Sequence, residues 1–192
     1  MNIVGPFPLA SGKAQFILFM NDYFSKWGKA QAYEKVREKE VIDFIWNHII
    51  YQFGMPSKIV CDNWKQFIGS KVAKFLEDHK IKRILSTPYH PSRNGQAEST
   101  NKTMIQNLKK RLIDVKGKWK EILPEVLWAY RTNSKSSTRA TPFSLVYGAE
   151  ALIVVEVREP SIRFRYATKE LNDKAINMSL ELLDERREAA LI

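Results

Sequence analysis

Between residues 38 and 85 the hydrophobic pattern alternates between helical and strand periods, and few folds accommodate that order. Val41, Phe44, Ile45, His48 or Ile49, and the run Tyr51 to Phe53 recur at helical spacing over 38–53, and Gly54 and Pro56 close the segment. Lys58-Ile59-Val60-Cys61 then reads as a buried strand that stops at Asp62-Asn63. Val72, Phe75 and Leu76 predict a helix over 69–79, and residues 81–85 make another strand, broken by Pro88 and Pro91. Upstream, short strands at 2–4, 15–20 and 28–33 predict an antiparallel meander around the Pro/Gly-rich stretch from Gly5 to Gly12. Downstream come helices over 94–114 and 118–132. The order of elements is that of an α/β domain.

Composition narrows the class. The 192 residues are 44% apolar, 11% aromatic and 27% charged, which are globular rather than disordered or coiled-coil proportions. A single cysteine, Cys61, excludes an intrachain disulfide and Cys-rich zinc modules, and fits a reducing compartment. No run of 18 apolar residues marks a membrane span, and the N-terminus lacks a basic segment followed by a long apolar one. Membrane and secretory readings are poor, and nothing points to a small-molecule substrate.

The net charge of +10 favours a polyanionic partner, most simply nucleic acid, although many ordinary basic proteins share it. The excess is concentrated. Residues 99–139 hold ten Lys/Arg against three Asp/Glu, whereas 149–192 hold seven against nine. A solvated helix face is the ordinary explanation of such a run, and Trp119, Trp128 and Tyr130 within it read as helix core rather than stacking platforms. Thr141-Pro142-Phe143 and Tyr147-Gly148 read as a turn-rich exit from the domain. Residues 169–190 form an amphipathic helix through Leu171, Ile176, Leu180, Leu183 and Ala190, with no partner evident in the chain.

Two carboxylates stand out by position. Asp62 follows an apolar strand, where open α/β sheets place ligand groups, and Glu98 lies in the first turn of the 94–114 helix. Taken singly, each has a structural explanation: Asp62 as a turn residue and Glu98 as a charge complementing a helix N-terminus. Together they are separated by 35 residues, and Asp62-Asn63 with Asn94-Gly95-Gln96-Ala97-Glu98 resembles the second and third members of an integrase D,D-35-E site. Further blocks agree in order: Ile3-Val4-Gly5-Pro6, Asp22-Tyr23-Phe24-Ser25-Lys26-Trp27, Phe53-Gly54-Met55-Pro56, Thr87-Pro88-Tyr89-His90-Pro91, Leu127-Trp128-Ala129-Tyr130-Arg131-Thr132 and Thr141 through Gly148. Over residues 1–150 the chain resembles the integrase catalytic core of plant gypsy-type LTR retrotransposons, leaving 151–192 as a linker and helical tail.

The resemblance implies a ribonuclease-H-like fold, a mixed five-stranded sheet flanked by helices with a C-terminal helical tail. It implies polynucleotidyl transfer on DNA: trimming of element ends and joining to target DNA. In that chemistry a carboxylate triad holds two Mg²⁺ or Mn²⁺ ions about 3.5–4 Å apart, and hard cations take oxygen ligands. Asp62 and Glu98 are the metal-ligand candidates. Lys102, Asn94, Lys109, Lys110 and Arg111 are the DNA-binding candidates. Lys102, one turn past Glu98, reaches a phosphate or pairs with Glu98 at i,i+4. A homodimer and nuclear location are also implied, although Lys109-Lys110-Arg111 is too short to define a nuclear signal.

The chain departs from the pattern in three places. Asn2 occupies the first catalytic position, where the family has aspartate, which lowers the formal carboxylate charge from −3 to −2 against two divalent ions and predicts a weakened site. Trp64 replaces the glycine after Asp62-Asn63, and is expected to strain that turn, to crowd the approach of DNA, or simply to point outward. Met1 falls within the expected first strand, as if the strand's upstream half were absent from a decayed polyprotein fragment. Asp22 is expected to fix a strand turn rather than substitute for Asn2, His90 belongs to the loop before the Glu98 helix, and His48 and His79 read as structural. Three functions remain: an active integrase core; an inactive relict or co-opted DNA-binding module; and a dimerising interaction domain, which would require the basic segment to be neutralised. Asn2 favours the second.

Overall fold

The computed structural model describes residues 1–85, 106, 110, 117–151 and 168–190. They divide into two compact units, one of residues 1–21 and 28–127, the other of 22–27 and 128–192.

In the first unit, β1 (Asn2–Val4), β2 (Phe16–Asn21) and β3 (Gly28–Tyr33) form an antiparallel meander, with Asn2 opposite Phe19 and Phe16 opposite Tyr33. β4 (Lys58–Cys61) and β5 (Lys82–Leu85) pair in parallel. Met1 joins the two sets. Its terminal amino group donates to the Val60 carbonyl, and its own carbonyl accepts from Asp62 N–H at 3.3 Å. One residue bonded to positions 60 and 62 of its neighbour is the parallel ladder pattern. The three-stranded and two-stranded sheets thus meet at Met1, in line with the mixed five-stranded sheet that the resemblance implied.

Ile17, Leu18 and Phe19 are consecutive and all at most 1% exposed, so both faces of the sheet are covered at β2. Leu18 belongs to a core that includes Val41, Phe44 and Ile45 of α1 (Glu38–Ile45), Ile59 and Cys61 of β4, Phe67 of α2 (Lys65–Ile68), and Val72 and Leu76 of α3 (Ser70–Asp78). The expected 38–53 helix is continuous but not uniform: α1 passes into a π-helical stretch, Trp46–Ile50, before a last turn, Tyr51–Phe53, that ends at Gly54 with φ 81°. Trp46 packs its ring against Tyr51, Phe75 and His79, and His79 Nδ1 lies 2.8 Å from the Phe75 carbonyl, the structural role expected of that histidine.

A long-range cap ties α1 to α3. Glu38 Oε2 accepts from the backbone N–H groups of Lys71 (2.8 Å) and Val72 (3.2 Å), satisfying two donors that a helix start leaves open. Gly69 makes room for it, because a Cβ there would lie 2.1 Å from Glu38 Cδ. Glu38→Ala is expected to lower stability by about 1 kcal/mol, measured as a fall in the urea midpoint at unchanged m-value.

The 118–132 helix is present as α4 (Trp119–Thr132). Trp119 is fully buried, as expected, with its ring 5.0 Å from Phe7 and its Nε1 donating to the Pro8 carbonyl at 2.6 Å. Trp128 differs from expectation: it is 40% exposed. In the second unit it packs edge-on against Phe143 at 5.7 Å, and Phe143 and Tyr147 both lean on the buried Trp27.

The turn-rich exit is also a helix, α5 (Pro142–Tyr147). Thr141 Oγ1 accepts from Ser144 N–H at 3.0 Å, Pro142 takes the first helical position, and Gly148 closes it in the left-handed region. Those residues are caps at both ends, which short apolar content between them disguised as a turn. The tail helix forms as α6 (Lys169–Ala189), and it does have a partner. Leu183 is buried, and Arg186 and Arg187 donate to the carbonyls of Gly148 and Leu145, each at 3.3 Å. Among the described residues no helix is long and apolar enough to cross a membrane.

Candidate active site

Parallel pairing at Met1 sets the first residue of β1 beside the residue that follows β4. Asn2 is 9% exposed and Asp62 is half-buried. The Asn2 amide is satisfied when its Nδ2 faces Asp62 Oδ2 at 2.9 Å and the Met1 carbonyl at 2.7 Å; the reverse orientation sets Oδ1 against two acceptors. Two of the three expected site positions are thus in direct side-chain contact. Sequence spacing could pair Asp62 with Glu98, but gave no sign that Asn2 would donate to Asp62.

Glu98, Asn94, Lys102, Lys109, Arg111 and His90 lie outside the described residues. Of the 94–114 helix, Gln106 and Lys110 are described; both are helical and exposed.

Trp64 does not strain the turn after Asp62. Its backbone sits at φ −68° and ψ 139°, a conformation open to every residue, and its side chain is 45% exposed. The side chain points outward, and strain is the alternative that its backbone removes. Asp22 acts as a turn clamp: its Oδ2 accepts from Ser25 N–H and Ser25 Oγ, both at 2.7 Å, and its own N–H donates to the Trp27 carbonyl at 2.9 Å. Cys61, adjacent to Asp62, is buried, and burial pushes its thiol up, away from nucleophile behaviour.

Not all of the basic segment is available to a ligand. The Lys135 ammonium lies 3.7 Å from the Tyr130 ring centre, and burial brings its pKa down to about 8. The Arg131 guanidinium sits 4.4 Å over Trp27, and desolvation lowers its pKa. Lys120 Nζ donates to the Ser11 carbonyl at 3.1 Å. Lys110, Lys118 and Arg139 are exposed.

A carboxylate triad is the donor set that divalent-metal chemistry asks of this position. The described residues do not supply it: they offer one carboxylate, Asp62, with an amide N–H directed at it, and no group of three or more His, Cys, Asp or Glu among them could hold a metal.

Residues 1–91 match the family model of the integrase core domain. Over those residues the chain is similar to the cores of the retroviral integrase superfamily. It is 28% identical over 148 residues to the Gag-Pol polyprotein of avian reticuloendotheliosis virus, covering 77% of this chain and 13% of that protein. It is 26% identical over 190 residues to Gypsy retrotransposon integrase-like protein 1 of Bos taurus, covering 98% of this chain and 36% of the relative. The chain spans well under half the length of those curated relatives. Among solved structures, a simian T-cell lymphotropic virus intasome in complex with PP2A regulatory subunit B56 gamma is similar at a TM-score of 0.59 and 22% identity, over 74% of this chain and 51% of that one. The catalytic core domain of BIV integrase is similar at 0.55 and 16% identity, over 75% and 90%. Those likenesses establish the ribonuclease-H-like fold of the integrase cores.

Proposed function

We propose that this chain is the DNA-handling core of an LTR-retrotransposon integrase whose strand-transfer chemistry is impaired at its first catalytic position. The observation that carries the reading is the contact of Asn2 with Asp62 at the strand end where the integrase core places two catalytic carboxylates. Asp62 and Glu98 are the remaining candidates to ligate Mg²⁺ or Mn²⁺. With an amide at position 2 the site has one negative charge fewer to set against the cations, and the DNA-binding role outlasts the catalytic one. Element ends and target DNA are the proposed ligands, a homodimer the proposed assembly, and the nucleus the proposed location.

DNA recognition on this reading is electrostatic. Lys102, Lys109, Lys110, Arg111, Lys118 and Arg139 are the candidate phosphate contacts, and Asn94 is a further DNA-binding candidate. Six contacts predict an affinity for duplex DNA that falls about a thousandfold between roughly 50 and 200 mM salt, with little sequence preference. Fluorescence anisotropy across a salt series measures this, and Lys110→Glu is expected to make the log–log slope shallower by about one or more. A salt-independent affinity, or none at low salt, would overturn the DNA-binding reading.

A further inference from the structure

Asn2 sits almost fully buried on β1, with Phe19 opposite it on β2, so its amide hydrogens must be satisfied within the protein. Both are when the amide is oriented by its hydrogen-bond network, with Nδ2 facing Asp62 Oδ2 at 2.9 Å and the Met1 carbonyl at 2.7 Å. An amide is suited to that place in a way a carboxylate is not. It has two donors, and the two atoms facing it are acceptors. An aspartate at position 2 would set acceptors against acceptors at both contacts, and would bring two like charges to hydrogen-bond distance. Such a pair is relieved by a shared proton or by a cation between it, and hard divalent cations are the ones that carboxylates bind.

We propose that Asn2 is a positioning residue that caps Asp62 in place of a cation, so that this strand end is internally satisfied and its stability is independent of divalent metal. The proposal rests on the reading of positions 2 and 62 as those where the integrase family has cation-binding carboxylates, and goes beyond it by giving Asn2 a role of its own. A degenerate catalytic position merely lacks a charge. This one supplies two hydrogen bonds that fix the Asp62 side chain and tie it to the carbonyl through which β1 and β4 are joined.

Thermal melting in EDTA and in excess Mn²⁺ or Mg²⁺ tests it without any activity measurement. The unaltered chain is expected to melt at the same temperature in both. Asn2→Asp is expected to melt about 5 °C lower in EDTA and to recover most of that loss with the cation. Asn2→Ala, which removes both donors without adding charge, is expected to melt lower in both conditions and not to recover. Should Asn2→Asp fail to fold in EDTA, its cation-dependent folding, followed by circular dichroism, supports the proposal. A melting temperature of the unaltered chain that rises with the cation as much as that of Asn2→Asp overturns it, as does an Asn2→Asp variant indifferent to the cation. Salt-dependent DNA binding is measured separately, so this proposal and the DNA-handling reading can fail independently.

Discussion

Asn2→Asp is expected to confer Mn²⁺-dependent strand joining on a branched DNA substrate, at a rate at least about a hundredfold above that of the unaltered chain. The magnitude follows from what a restored carboxylate contributes. Metal-centred charge stabilisation in a phosphoryl displacement amounts to several kcal/mol, and about 2.7 kcal/mol is already a factor of one hundred in rate. The structure gives the substitution a favourable starting point, because position 2 is at hydrogen-bond distance from Asp62 and a carboxylate there needs no rearrangement of the strands to reach it. Adding Glu98→Gln to Asn2→Asp is expected to return the rate to background. Three outcomes separate the alternatives. Activity only in Asn2→Asp identifies a disabled but otherwise intact site. Activity in the unaltered chain shows that an amide at position 2 suffices. Silence in all variants that still bind DNA shows that the lesion extends beyond Asn2; backbone strain at Trp64 is then a poor suspect, because its φ and ψ are ordinary.

The strands and most helices were legible in the sequence because each has a strong local signature that tertiary packing does not overrule. Phe16 to Met20 is an unbroken apolar run, and such a run belongs in a sheet covered on both faces, which is where Ile17, Leu18 and Phe19 lie. Gly54 ended its helix for the reason that glycine usually does, with a positive φ that a side chain would resist. What escaped the sequence depended on long-range partners. Glu38 caps α3 from 33 residues away, and nothing near Glu38 announces it. The π-helical stretch at Trp46–Ile50 keeps the same hydrophobic spacing as an α-helix to within one residue, so periodicity could not reveal it. α5 was missed for the opposite reason: its Thr-Pro start and Gly end are local, but the six residues between them are too few to show a period. At the site, the neighbours were legible and their chemistry was not. Spacing and family blocks singled out Asn2 and Asp62, while the donor–acceptor match that makes Asn2 fit beside Asp62 required the parallel register at Met1.

Trp119 separates folding from ligand binding within the basic segment. Its neighbours in sequence, Lys118 and Lys120, would suit an aromatic base-stacking site, yet the indole is fully buried. It packs at 5.0 Å on Phe7 and donates to the Pro8 carbonyl, so it anchors the Pro-rich turn between β1 and β2 onto α4. Trp119→Ala removes the largest fully buried side chain among the described residues, leaves a cavity and strips the Pro8 carbonyl of its donor. Large-to-small changes of this kind cost about 3–5 kcal/mol, which for a chain of this size is a fall of about 10 °C in melting temperature. A stacking role would instead leave stability nearly unchanged and cost about 1–3 kcal/mol per base in DNA affinity. The expected pair of results is therefore a large drop in thermal midpoint with DNA affinity of the folded variant, measured well below its melting temperature, within about twofold of the unaltered chain. A variant that melts normally but binds DNA tenfold more weakly would move Trp119 from the core to the nucleic-acid surface. The exposed Lys118 is the control, since Lys118→Ala is expected to do the reverse, weakening DNA binding at low salt while leaving the melt unaltered.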